Sequence, residues 1–461
     1  MQKAFSTIKM DCFVDLLSVH QSNPTRYPHL LESVAHGEKN SRYSILFAFP
    51  QSTIRLNDFD QLSTDTVSIK SKKFLDGFNE WFQQEMISGA VSSNKLPFTG
   101  GWFVYLGYEL AQEIEPSLSL PLKSTLQLPI AFATRFPAAI INDRETQSSW
   151  LVAESAFYEC VAVMQKDITA VSPINEPGQL KLTNSIEENA SKYINAVKKI
   201  QSYIVEGDVF QVNVSRLWQF FFAENFSSAE IYLRLRKSNP APFAGLLTSD
   251  DFAVISSSPE RLVSVKNGNV QTRPIAGTRP RVRKADGSLN EIEDQVLKDE
   301  LIKHPKERAE HVMLIDLERN DLGRVCEPGS LHVDELMALE SYEHVHHIVS
   351  NVSGKLKENI LPGDVLRAVF PGGTITGCPK VRCMEIIAEL EASPRHAYTG
   401  SMGYINRNGD MDFNILIRTI VRSGNELHIR AGAGIVAYSD AEKELQETRV
   451  KAKGMLNAIT G

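Results

Sequence analysis

Acidic side chains in residues 306–324, KERAEHVMLIDLERNDLGR, are the first candidates for chemistry. Four apolar residues recur at helical spacing and predict a helix with one buried side: Val312, Leu314, Ile315 and Leu317. The interior side also carries three polar residues: Glu307, Glu310 and His311. A carboxylate beside buried apolar groups is costly unless a cation neutralises it. A salt bridge to Arg or Lys would suffice, and so would a divalent metal shared with a second carboxylate.

The last helix of the chain, within EKELQETRVKAKGM at 442–455, offers that second carboxylate. At about 100° per residue, Glu444, Glu447 and Lys451 fall within roughly 60° of each other. Two carboxylates, water and an anionic substrate are the usual ligands of Mg²⁺ in proteins. We therefore pair Glu447 with Glu310 as candidate Mg²⁺ ligands. A solvated charged helix face is the alternative.

Two glycine-rich runs and one acidic turn could serve an anionic substrate. AGAGIV at 431–436, expected between a strand and a helix, can expose backbone N–H groups to a carboxylate or phosphate. FPGGTITGCPK at 370–380 fails the Walker pattern because cysteine and proline follow its last glycine. Either run could instead be a structural turn. Glu260, in Ser258-Pro259-Glu260, is a candidate general acid if it is partly desolvated.

The length and composition of the chain limit its number of domains, its partners and its cellular compartment. The chain has 461 residues, enough for one large domain or two to three ordinary ones. Its formal net charge of −7, without a basic block, argues against nucleic acid or an anionic membrane as partner. No apolar run reaches the roughly 18 residues of a membrane span, and the acidic N-terminus does not resemble a signal peptide. Five scattered cysteines without CxxC spacing predict free thiols in a reducing cytoplasm.

Strands with helices inserted between them predict an α+β protein. Residues 166–186 mix Pro, Ser, Asn and Gly without periodicity, so we expect a linker there. It would divide an N-terminal region, 1–165, from a C-terminal region, 185–461, with both packed into one compact unit. An amphipathic helix is predicted over 185–206.

Together the motifs resemble the chorismate-utilising enzymes, a family that includes anthranilate synthase component I, aminodeoxychorismate synthase component I, and isochorismate and salicylate synthases. The matching segments are LLES (30–33), GDVFQVN (207–213), SPE (258–260), PIAGT (274–278), RAEHVMLIDLERNDLGR (308–324), HIVS (347–350), GGTITGCPKVRCMEII (372–387), IRTI (417–420), AGAGIV (431–436) and QET (446–448). The resemblance implies an antiparallel, orthogonal two-sheet sandwich wrapped by helices, with the active site between the sheets.

The resemblance also implies a role for individual residues. It implies Mg²⁺ on Glu310 and Glu447, the general acid at Glu260 and an active-site histidine at His347. The implied contacts with chorismate are Thr278, Tyr398, Arg418, Gly432, Ala433, Gly434 and Lys451. LLES and NPAPF are similar to the family's tryptophan pocket, which implies five residues there: Leu31, Glu32, Ser33, Pro240 and Pro242. Whether tryptophan binds is left open.

The nucleophile is expected to be ammonia. In the family that this chain resembles, many aminodeoxychorismate synthases have lysine at the third position of PIAGT, and so do the branches that add water. Here that position is Ala276, which leaves ammonia as the expected nucleophile. The chain lacks the Gly-x-Cys-x-Gly elbow of a glutaminase, so the resemblance implies a glutamine amidotransferase subunit as partner. The run Gly372–Gly377 and the stretch 100–116 favour the aminodeoxychorismate branch, and the anthranilate branch is the alternative. A non-enzymatic nucleotide or amino-acid sensor is a further alternative, against which the failed Walker pattern counts.

Overall fold

The structure is a computed structural model, and it describes residues 5–34, 42–59, 61–87, 96–174, 178, 180–284, 288–341 and 345–460. Its strands are β1 (Phe5–Met10), β2 (His29–Glu32), β3 (Tyr43–Ala48), β4 (Thr53–Leu56), β5 (Leu62–Thr64), β6 (Gly101–Leu106), β7 (Ala131–Phe136), β8 (Ala138–Asp143), β9 (Ser148–Glu154), β10 (Leu182–Glu187), β11 (Gln211–Phe222), β12 (Phe243–Thr248), β13 (Phe252–Ser258), β14 (Arg261–Lys266), β15 (Asn269–Thr272), β16 (Ile275–Pro280), β17 (His332–Ser341), β18 (Val345–Lys355), β19 (Gly377–Cys378), β20 (Ser401–Asn406), β21 (Met411–Asn414), β22 (Thr419–Ser423) and β23 (Glu426–Ile435).

The helices lie between these strands in the sequence. They are α1 (Leu16–Ser22), α2 (Phe74–Glu85), α3 (Ala111–Ile114), α4 (Cys160–Ala170), α5 (Ala190–Val205), α6 (Ser228–Ser238), α7 (Glu291–Lys303), α8 (Pro305–Gly323), α9 (Pro362–Val369), α10 (Lys380–Glu391) and α11 (Ala441–Thr460). Within the described part of the chain, none of them is long and apolar enough to span a bilayer.

The strands form two antiparallel sheets, which confirms the predicted α+β architecture. The first sheet has the order β1-β9-β8-β3-β2-β12-β13-β22-β23-β11-β10, with β19 beside β11. The second has the order β16-β18-β15-β14-β21-β20-β6-β7-β4-β5, with β17 beside β18. In each sheet the strands of the N-terminal region form one continuous block. The blocks of the two regions join where β2 pairs with β12 and where β6 pairs with β20.

The hydrophobic core has four parts: residues of β11, β23, α5 and α10 form one of them, and the layering of sheets and helices creates the other three. One lies between the first sheet and helices α1, α4, α6 and α11. A second lies between the second sheet and helices α2, α8 and α9. A third, rich in phenylalanine, joins inward-facing residues of both sheets, among them Phe47 and Phe103. The sheets therefore pack on each other and carry helices on their outer faces.

The central helix α8 lies where it was predicted. It runs over Pro305–Gly323, against the expected 306–324. Leu314, Ile315 and Leu317 are buried, but Val312 is 48% exposed. The buried face is centred on His311, and Val312 is rotated from it by about 100°.

Residues 166–186 are more regular than the expected linker. Helix α4 continues to Ala170, and β10 begins at Leu182 and pairs with β11. All six residues of β10 are exposed, so this edge strand carries no alternation that a sequence pattern could show. Helix α5 consequently starts at Ala190, later than predicted, where the Asn189 side chain caps it by accepting from the Ser191 N–H.

Candidate active site

The chain crosses between the two sheets twice at one place. It leaves β13 of the first sheet and enters β14 of the second through Glu260, and it returns from β21 to β22 through residues 415–418. The Ile415 N–H donates to the Glu260 main-chain oxygen at 3.0 Å, and Ser258 Oγ donates to the Ile415 oxygen at 2.5 Å. The two crossings therefore run side by side and bring Glu260 and Arg418 to the same junction.

Glu260 is a buried carboxyl group, 7% exposed. Thr374 Oγ1 donates a hydrogen bond to Glu260 Oε1 at 2.7 Å. Burial raises the pKa of Glu260 to about 7, although Thr374, Arg418 and Lys451 each act to lower it. A carboxyl group that retains its proton near neutral pH can act as a general acid.

Arg418 has a left-handed backbone conformation, with φ +51°. Such a conformation costs a residue with a side chain on the order of 1–3 kcal/mol. Its main-chain oxygen accepts a hydrogen bond from the Ser257 N–H at 3.1 Å, which helps to hold it. Burial lowers the pKa of Arg418, and the neighbouring charge of Glu260 acts in the opposite direction. The guanidinium group is thus a partly desolvated cation beside the candidate acid.

His347 and Thr278 face each other on β18 and β16 of the second sheet. His347 is 4% exposed, and its Nδ1 lies 3.4 Å from the main-chain oxygen of Gly277. Burial, with the nearby charge of Arg418, lowers the pKa of His347 to about 4. The imidazole is therefore neutral at physiological pH.

Gly432, Ala433 and Gly434 lie inside β23, and the turn expected at AGAGIV is wrong. They pair with residues 213–215 of β11. On its other side β23 pairs with β22 only as far as Ile429, so in the described chain that edge is open from there on. The order of strands in the sheet creates this open edge, and no local sequence pattern shows it.

The N–H groups of Gly432 and Gly434 point to the open edge. The N–H groups of their partners on β11 do not bond to β23. The Ser215 N–H donates to the Glu391 carboxylate at 2.8 Å, and the Asn213 N–H donates to a main-chain oxygen at 2.9 Å. In an antiparallel pair, both residues turn their N–H groups toward each other or both turn them away. The two glycine N–H groups are therefore directed outward, where they can bind a carboxylate.

Lys451 and Tyr398 stand next to these glycines. Lys451 Nζ donates to the Gly432 main-chain oxygen at 3.1 Å and pairs with Glu447 at 2.8 Å. A Cβ atom on Gly432 would lie 2.7 Å from Tyr398 Oη, so this position admits only glycine without rearrangement. Burial raises the pKa of Tyr398 to about 12, which keeps its hydroxyl group protonated.

Glu310 and Glu447, the expected Mg²⁺ ligands, lie on α8 and α11. Glu310 is partly buried one turn after Glu307, which accepts from Arg279 at 3.3 Å, and the Glu447 side chain is 50% exposed. Their carboxylate oxygens are the donors that Mg²⁺ prefers. Among the described residues no group of three or more His, Cys, Asp or Glu could hold a metal, so water and substrate oxygens would have to complete the coordination. The Mg²⁺ site stays a prediction.

Two residues beside Glu260 were missed in the sequence. Thr374 lies in the GGTITG run, in which the sequence pattern pointed only to the glycines. Glu318 is 4% exposed, and its pKa is raised to about 7 by burial and by Asp321, which pairs with Lys380 at 2.5 Å. Its position two turns after the buried His311 was the signal that could have identified it.

The residues expected to form a tryptophan pocket come together from two segments: Leu31, Glu32, Ser33, Pro240 and Pro242. Ser33 Oγ donates to the Pro242 main-chain oxygen at 2.8 Å. Glu32 accepts from Tyr232 Oη at 2.9 Å and pairs with Arg236 at 3.4 Å. The Glu32 carboxylate is therefore already bound within the protein, and tryptophan binding stays a prediction.

Comparisons with known proteins identify the family. The model of the chorismate binding enzyme family matches residues 32–457. Aminodeoxychorismate synthase component 1 of Bacillus subtilis is 40% identical over 94% of this chain and 92% of its own length. Anthranilate synthase component 1 of Pseudomonas aeruginosa is 36% identical over 94% of this chain and 90% of its own. The crystal structure of anthranilate synthase component I from Streptococcus pneumoniae superposes with a TM-score of 0.79 at 30% identity, over 91% of this chain and 93% of that one.

The family model covers most of the chain, including both crossings, β23 and the acidic helices α8 and α11. Two of the relatives exceed 30% identity over nearly their whole length. The chain therefore belongs to the family of chorismate binding enzymes.

Proposed function

We propose that this chain aminates chorismate to 4-amino-4-deoxychorismate with ammonia from a glutamine amidotransferase subunit. One observation carries the chemistry: Glu260 is buried at the junction of the two sheets, and burial raises its pKa to about 7, so that about half of it is protonated at pH 7. It can deliver that proton to the ring hydroxyl of chorismate as the C–O bond breaks. Without protonation the leaving group would be hydroxide, which is a poor one.

The surrounding cations and N–H groups suit the two carboxylates of the substrate. Arg418 and the outward N–H groups of Gly432 and Gly434 would bind one of them, with Lys451 at the same edge. Mg²⁺, when bound, would neutralise the other carboxylate, held by Glu310 and Glu447. The neutral His347 can take up a proton from nitrogen after ammonia has added.

Ammonia as the nucleophile follows from Ala276. This residue is 7% exposed in β16, next to the site, and offers no amine or base. A separate subunit must then supply ammonia if glutamine is the nitrogen source, and the relatives named above are called component 1. The free thiols of all five cysteines suit the cytoplasm, where we place the reaction.

The alternative product is anthranilate, formed with loss of pyruvate. Relatives named anthranilate synthase match this chain almost as closely as the aminodeoxychorismate synthase of Bacillus subtilis does. The run Gly372–Gly377 and the Bacillus subtilis relative favour aminodeoxychorismate. The test is to incubate the chain with chorismate, Mg²⁺ and ammonium, with and without an added aminodeoxychorismate lyase. We expect p-aminobenzoate only with the lyase. Anthranilate fluorescence and pyruvate without the lyase would overturn the proposal in favour of the alternative.

A further inference from the structure

A cavity of about 610 Å³ lies between the two sheets. Strands β2, β12, β13 and β22 of the first sheet line one side, and β4 and β7 of the second sheet line the other. Its volume falls within the range of roughly 300–1,000 Å³ that is usual for small-molecule sites. Among the described residues that line it, none is expected to act on chorismate or to form the tryptophan pocket.

Two arginines in this cavity, Arg55 of β4 and Arg422 of β22, have no carboxylate partner among the described residues. The Arg55 guanidinium makes no hydrogen bond within that part of the chain, and its Nε is buried. Arg422 donates only to neutral oxygens, those of Ser228 at 3.0 Å and Gly424 at 2.9 Å. Burial lowers the pKa of Arg422. Both arginines are half-buried, and because the guanidinium group matches carboxylate and phosphate in geometry, an anionic ligand would complete this site.

Aromatic rings lie beside the two arginines. The Arg55 guanidinium carbon lies 5.7 Å from the centre of the Phe252 ring. The His29 imidazole, 4% exposed, lies 5.8 Å from the centre of the Phe132 ring, and its Nδ1 has no hydrogen-bond partner in the described chain. Asp250, in the exposed turn between β12 and β13, is the single carboxylate among the described lining residues. The cavity thus combines aromatic walls with two cations.

We propose that this cavity binds an aromatic carboxylate, at a site separate from the one that acts on chorismate. The carboxylate would lie between Arg55 and Arg422, and the ring would pack against Phe132 and Phe252.

The test is calorimetric titration of the full chain with three probes: benzoate, acetate and benzyl alcohol. Benzoate should bind saturably with one site. Acetate lacks the ring and benzyl alcohol lacks the charge, so each should bind at least about tenfold more weakly. Absence of saturable benzoate binding would overturn the proposal. So would acetate or benzyl alcohol binding as tightly as benzoate.

The Arg55→Met variant locates the site, since Arg55 has no hydrogen bond whose loss would disturb the fold. It should weaken benzoate binding by about tenfold or more, whereas Lys166→Met, which removes an exposed charge on α4, should leave it unchanged. Unchanged benzoate binding in Arg55→Met would place the probe elsewhere and refute the assignment. A crystal of the unmodified chain soaked in benzoate gives an independent check, because density must appear between the two arginines. None of these measurements depends on turnover of chorismate.

Discussion

Replacing Glu260 by glutamine removes the proton donor and leaves the volume of the side chain almost unchanged. Because Glu260 is buried beside Thr374 and its pKa is raised to about 7, we expect kcat at or below pH 7 to fall by about 10²–10⁴-fold. The KM for chorismate should change little, since the proposed contacts with the carboxylates of the substrate are made by other residues. The assay is loss of chorismate with ammonium as nitrogen source, over a range of pH.

The pH dependence separates the general acid from a binding residue. With a pKa of about 7, Glu260 is about 90% protonated at pH 6 and about 10% protonated at pH 8. The rate of the wild-type enzyme should therefore fall on the alkaline side, and this fall should be absent from Glu260→Gln. Thr374→Val removes the hydrogen bond that lowers the pKa of Glu260, so its alkaline limb should move to higher pH. Thr376→Val, which removes a hydroxyl bonded to Gly372 instead, is the matched control.

The same pKa has a consequence for stability that needs no substrate. The folded state binds the Glu260 proton more tightly than the unfolded chain, whose carboxyl has a pKa of 4.5. The bound proton contributes to the free energy of unfolding in full below pH 4.5, and this contribution is lost as pH rises through about 7. At about 1.36 kcal/mol per pKa unit, the ionised group then costs roughly 3 kcal/mol. Glu260→Gln should consequently unfold at higher denaturant concentration than the wild type at pH 9, but not at pH 4.

Two results would refute this reasoning. If Glu260→Gln raised KM and left kcat unchanged, the residue would bind substrate and would not supply the proton. If the variant and the wild type lost stability in parallel between pH 4 and pH 9, the carboxyl group would not have the raised pKa that the mechanism requires.

Three further predictions follow from the site. Glu310→Gln and Glu447→Gln should each abolish Mg²⁺-dependent turnover with little change in the unfolding midpoint; full activity at ordinary Mg²⁺ concentration in either variant would remove that residue from the metal site. Gly432→Ala should cost about 1–3 kcal/mol of stability and raise KM for chorismate, because its Cβ would meet Tyr398 Oη at 2.7 Å; unchanged steady-state kinetics would contradict this. The purified chain should use ammonium salts but not glutamine, and loss of chorismate with glutamine as the sole nitrogen source would reveal a glutaminase site.

Parts of the site that depend on one helix could be predicted from the sequence. The 3.6-residue period located α8 to within one residue at each end and put Glu310 and His311 on it. The charged face of α11 placed Glu447 next to Lys451, and the two are paired in the structure. Helical geometry is local, so spacing in the sequence translates directly into position.

Parts that depend on sheet order could not be predicted in the same way. Gly432 and Gly434 expose their N–H groups because the pairing of β22 with β23 begins only at Ile429, and nothing in AGAGIV indicates where a neighbouring strand lies. The cavity between the two sheets is lined by residues as distant in sequence as His29, Arg55 and Arg422. Their proximity follows from long-range strand pairing, which leaves no periodic signal in any one segment.

The N-terminal region covers two strand edges of the C-terminal region, because β2 pairs with β12 and β6 pairs with β20. A chain reduced to residues 185–461 would keep every residue expected to contact chorismate, but β12 and β20 would lose their neighbours over four and six residue pairs. Bare strand edges recruit other chains, so such a fragment should be insoluble rather than merely inactive. Substitutions that loosen β2 or β6 should accordingly reduce yield and solubility before they alter kinetics.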